Sequence, residues 1–118
     1  MDQYHEPVED LESTDRDKVR ALMSLKEEVE AISWYQQRVA ASADAELIEV
    51  LAHNRDEEIE HACMTIEWLR RNMSGWDEEL KTYLFSEAPI TQLEELEEAE
   101  SSSDDEDRPS DLGIGSLR

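Results

Sequence analysis

Cysteine, proline and glycine are nearly missing from this chain, and so is any positive charge to balance the negative. Cys63 is the single cysteine among 118 residues, so no internal disulfide can form. There are three glycines and three prolines, and none falls between Val8 and Ser74, so nothing in that stretch breaks a helix. No apolar run approaches the length that crosses a membrane. Lys and Arg number 11 against 32 Asp and Glu, for a formal net charge of -21. That balance argues against nucleic acid and anionic membrane as partners. It suits traffic in cations, or serves solubility alone. The acidic N-terminus lacks an apolar stretch and predicts no secretion signal. With the lone cysteine, this points to a reducing cytosol.

The length allows one compact domain, and two stretches reduce what can fold. Residues 1–12 carry Asp2, Glu6, Glu9, Asp10 and Glu12 with no Lys or Arg. From Glu94 to Asp111 the chain reads EELEEAESSSDDEDRPSD. Segments so charged and so poor in apolar residues cannot offset the entropy of ordering. The expected organisation is a disordered acidic N-terminus over 1–12, a helical domain over 13–90, an acidic disordered linker over 91–110, and a distinct tail over 111–118. A core this small needs a disulfide, a metal or a partner chain. The first is excluded, which leaves metal or oligomer.

Ser13, Thr14 and Asp15 read as a helix N-cap region. Beyond them Ala21, Leu25, Ile32 and Val39 recur in threes and fours, widened by Leu22, Val29 and Ala40. The spacing predicts a first helix over about residues 14–41. Ser42 to Asp44 is a short connection with Asp44 as the next cap, which forces antiparallel neighbours. A second helix is expected from Ala45 to Asn72, with Leu47, Leu51, Asn54, Glu58, His61, Thr65 and Trp68 in its stripe. Arg70, Arg71 and Gly75 are stop signals. A third, shorter helix is expected from Trp76 to about Phe85, and 91–99 would be at most a frayed acidic helix. The fold class is all-α: an antiparallel two-helix hairpin plus a short third helix.

Chemistry-bearing residues sit inside the two stripes. Glu28 lies between Leu25 and Ile32, and Tyr35 shares its face two turns on. On the second helix Glu58 and His61 form Glu-x-x-His, one turn apart. A bare carboxylate in a core is costly unless paired or bound to metal. Carboxylate oxygen with one imidazole per metal suits iron or manganese rather than a metal that prefers thiolate. A di-iron carboxylate bundle takes a Glu from each of two helices and a Glu-x-x-His from each of two more. This chain carries half of that set, and two chains would complete a four-helix bundle.

The stretches EEVEAISWYQQRV, LAHNRDEEIEHACMTIEWLRRN and LKTYLFSEAPI closely resemble the encapsulated ferritins, the ferritin-like cargo proteins of encapsulin nanocompartments. The final DLGIGSLR resembles the cargo-loading peptide that docks such proteins inside the shell. The resemblance implies a ferroxidase that oxidises Fe(II) with O2 and passes ferric iron to the shell lumen. It also implies an annular homodecamer of five dimers, with the di-iron site at one type of dimer interface. By that resemblance Glu28, Glu58 and His61 are the ferroxidase ligands and Tyr35 is the tyrosine beside them. Glu27 and Glu30 match the acidic pair through which iron enters, with Trp34 adjacent.

Two other classes fit the same residues: an iron-binding helical oligomer without turnover, and a structural protein held together by some other divalent ion. Cys63 lies about 200° round the helix from His61 and reads as buried packing. His53 is expected to face solvent or the next subunit, and His5 sits in the floppy end. Trp68, Trp76, Tyr83 and Phe85 read as core or inter-subunit packing. Leu112, Ile114 and Leu117 suit an extended peptide pressed into a groove of the encapsulin shell protein.

Overall fold

Two uninterrupted helical patterns fold as two long helices. The computed structural model describes residues 3–103 and is helical throughout its regular structure: a 3-10 turn at Val8–Asp10, then α1 (Ser13–Ala41), α2 (Ala45–Asn72), α3 (Trp76–Tyr83) and α4 (Ile90–Ser103). The chain divides into two units after Met73, the first holding α1 and α2 and the second α3 and α4. No helix among the described residues is long and apolar enough to cross a membrane.

Local chemistry sets the boundaries of the first unit. The cap of α1 is Glu12, one residue before the expected region, and the Asp15 carboxylate accepts from the Glu12 N–H at 3.3 Å. This closes a capping box in which an acidic side chain takes the place of the usual hydroxyl. Arg16 donates to the Val8 carbonyl at 2.7 Å and ties the 3-10 turn to the start of the helix. Residues 8–10 are thus a turn inside a segment expected to be disordered. Asp44 caps α2 as expected, accepting from the Leu47 N–H at 2.9 Å. Between Ala41 and Ala45 only three residues intervene, so the helices run antiparallel. Two cross-links record the register. Thr65 bonds Glu28 at 2.9 Å, and eight residues on in α1, ten back in α2, Arg55 bonds Gln36 at 2.9 Å.

One helix pair can close only one seam. In α2 the buried residues are Ala62 and Leu69, while α1 has none. Leu47 and Trp68, expected in the buried stripe, are exposed, as are Val29, Trp34, Val50, Ile59 and Met64. The stripe predicted from spacing is wider than what one neighbouring helix can cover.

In the second unit Gly75 precedes α3 with φ +102°, a backbone that favours glycine. The helix ends at Tyr83, two residues short of expectation. Phe85 holds φ +60° and is 86% exposed, so it is no part of a core in the single chain. Residues 90–103 form α4 and replace the N-terminal part of the linker expected over 91–110. Ile90, Leu93 and Leu96 recur every third residue, Leu93 is buried, and the Pro89 carbonyl accepts from the Gln92 and Leu93 amides. Residues 104–110 and the expected targeting peptide 111–118 lie outside the described residues.

Candidate metal centre

The predicted ligands lie at the middle of the hairpin. Glu28 is near the centre of the 29-residue α1, and Glu58 and His61 straddle the centre of the 28-residue α2. One helical turn brings His61 Nδ1 to 3.4 Å from Glu58 Oε1. Their side chains are 49% and 28% exposed, so the imidazole stands half open at the flank of the seam. Spacing alone had set both residues in the buried stripe. The seam instead follows Ala62, about 100° round from His61.

Glu28 is half-buried and takes the Thr65 hydroxyl across the hairpin at 2.9 Å. That hydroxyl also lies 3.1 Å from the backbone carbonyl of His61, an alternative acceptor for its one proton. Tyr35 is half-buried, with the Arg38 guanidinium 5.2 Å from its ring centroid. Glu27, Glu30 and Trp34 are exposed on α1.

Glu58 and His61 are thus brought into contact, while Glu28 on the facing helix is bonded to Thr65, one turn beyond His61, and not to either of them. Among the described residues, the trio whose ligand atoms approach within 4.8 Å is Glu57, Glu60 and His61, all on α2. His53 extends this strip, its Nε2 lying 3.3 Å from Glu57 Oε1. Sequence reasoning passed over Glu57 and Glu60. The signal was present in the position of Glu57, three residues before Glu60 and four before His61, which makes it the helix-face neighbour of both.

Glu67, farther along α2, is already paired. Glu67 accepts from Arg70 and Arg71 at 2.7 Å, and those hydrogen bonds hold its carboxyl down at about 2. It is a paired anion rather than a free ligand. Glu67 lines an open groove with Glu60, Cys63, Met64, Trp68 and Arg71. Cys63 is exposed there and not buried packing, because it points away from the one covered seam. In the second unit, burial and the neighbouring Glu79 push the Glu97 carboxyl up. Tyr83 is likewise raised by burial and by Glu97 and Glu94.

An antiparallel helical hairpin bearing carboxylates and an imidazole at mid-length defines a helical protein with a candidate metal centre. The EncFtn-like family matches residues 3–87, and the chain belongs to that family. It is 59% identical over 116 residues to a ferritin-like protein of Thermotoga maritima, covering 98% of each chain. It is 52% identical over 121 residues to an encapsulated ferritin-like protein of Rhodospirillum rubrum, covering 97% of this chain and 86% of that one. Protein ne0167 from Nitrosomonas europaea, known from its crystal structure, superposes with a TM-score of 0.73 at 54% identity, over 75% of this chain and 99% of the other.

Proposed function

We propose that the chain is a ferroxidase, oxidising Fe(II) to Fe(III) with O2 at a di-iron site that two copies of the chain complete. The observation that carries this reading is the Glu58–His61 contact at 3.4 Å, with Glu28 on the facing helix bonded to Thr65 one turn beyond His61. The donor set fits the metal. Carboxylate oxygens and one imidazole per chain suit iron, and the only thiol, Cys63, lies off the ligand face. A complete di-iron bundle needs two single Glu helices and two Glu-x-x-His helices, and one hairpin supplies one of each. The half-open imidazole is consistent with a second hairpin closing over it.

In this reading Glu28, Glu58 and His61 of each chain would together hold the iron, with Glu28 supplied from α1 and Glu58 and His61 from α2. Tyr35 offers its hydroxyl to a ligand. Exposed Glu27 and Glu30, beside Trp34, draw the Fe(II) substrate toward the centre. Each Fe(II) substrate would give up one electron; O2 would take two of them with two protons and leave as H2O2, and the ferric product would leave. The chains assemble as dimers into an annular decamer, as the family resemblance implies. The name of the Rhodospirillum rubrum relative, which shares half of this sequence, supports a place inside an encapsulin shell. Residues 111–118 would dock there.

Oxygen uptake on adding Fe(II) to the purified protein tests the reading. Rapid uptake that disappears in His61→Ala supports it. Iron binding without oxygen uptake would instead favour sequestration. The Glu57, Glu60 and His61 trio favours that second reading, because it needs no second chain.

A further inference from the structure

Thr65 makes a contact that the ligand set does not account for. It stands one turn beyond His61 on α2, is half-buried, and its hydroxyl reaches Glu28 Oε1 across the hairpin at 2.9 Å. Glu28 turns about three side-chain bonds, so an untethered carboxylate at that position samples many orientations. Thr65 turns about one. In a helix the Thr χ1 settles where Oγ1 can meet the carbonyl four residues back, here that of His61 at 3.1 Å. A side chain with one stiff torsion on the ligand helix thus presents its single proton to a flexible acceptor on the other.

We propose that Thr65 is a positioning residue of the metal centre, its hydroxyl holding the Glu28 carboxylate in a fixed orientation for cation binding. The inference rests on the assignment of Glu28 and His61 as ligands. The geometry leaves the carboxylate usable. The hydroxyl carries one proton and occupies one lone pair of Oε1, so Oε2 remains wholly free. A donor to a ligating carboxylate restricts its orientation before the metal arrives, which lowers the ordering cost of binding. The His61 carbonyl is a second acceptor within reach, so the hydroxyl is never stranded when Glu28 shifts. Sequence spacing had counted Thr65 only as a member of the helical stripe.

Thr65→Val removes the hydroxyl at nearly constant shape, and Thr65→Ser keeps it. Co(II), which resists air oxidation and absorbs visibly when ligated, is the probe for affinity. In the full-length protein, Thr65→Val should bind Co(II) about 10-fold more weakly. It should also raise the KM for Fe(II) more than it lowers kcat, and Thr65→Ser should restore both. Wild-type Co(II) affinity in Thr65→Val would overturn the inference, even if its melting temperature fell. So would Thr65→Ser behaving like Thr65→Val. Glu28→Gln and His61→Ala serve as controls. If they weaken Co(II) binding and Thr65→Val does not, only the positioning role fails; if neither weakens it, the ligand assignment fails as well.

Discussion

Each ligand side chain counts twice if two hairpins share the centre. Glu28→Ala, Glu58→Ala and His61→Ala should each cut oxygen uptake by at least about 10-fold, because every substitution removes two donors from one di-iron site. Glu27→Ala and Glu30→Ala should behave differently, slowing turnover at low Fe(II) while leaving the saturated rate near wild type. Steady-state oxygen electrode traces over a range of Fe(II) separate the two patterns. Glu67 offers a test by pH. Its folded value of about 2 lies below the ordinary 4.5, so its pairing stabilises the fold fully above about 4.5 and is lost as pH falls through about 2. Urea unfolding of wild type and Glu67→Gln should therefore differ at neutral pH and converge in strong acid. The difference should be small and weakened by salt, because the pair is exposed.

Within the hairpin, a short list of local contacts sets the length of each helix. Asp44→Ala should cost about 1 kcal/mol by uncapping α2. Leu69→Ala should cost about 2–5 kcal/mol, since that side chain is fully buried. Thermal or urea denaturation gives both, and the order of the two losses is the point to check. Much of this was legible in sequence. The ends of α2 and the role of Asp44 follow from residue types within one turn, and so do the Glu58–His61 spacing and the antiparallel turn. What escaped was decided by neighbours. The α4 stripe of Ile90, Leu93 and Leu96 is thinned by Glu94, Glu95, Glu97 and Glu98, so composition masked its period. The exposure of Cys63, Trp68 and His61 depends on which face of α2 the seam takes, and periodicity leaves that choice open across a broad stripe. The tie from Thr65 to Glu28 spans 37 residues of sequence, and no local pattern encodes it.

A hairpin that leaves Val29, Trp34, Val50, Ile59 and Met64 exposed has apolar surface to give to a neighbour. If metal joins two half-sites, its binding free energy appears as association energy. Protein in chelator should then run as monomer or loose dimer, and Fe(II) added anaerobically should shift it to dimers and larger rings in light scattering. An assembly indifferent to metal would count against the shared site. Deleting residues 111–118 should leave oxidation unchanged and abolish packaging when the chain is co-expressed with a shell protein. Equal packaging of the truncated chain would show that the address lies elsewhere.

The proposed ligands sit at the midpoints of α1 and α2, roughly 20 Å from either end of the hairpin. Warming loosens helices from their ends, where backbone amides lack partners, and reaches the centre last. The Glu58–His61 contact and the Thr65 bridge to Glu28 are thereby placed where fraying arrives only when the whole hairpin opens. Loss of the centre on heating is then one event with unfolding, and a partly melted hairpin with open ends would still hold its ligands in place.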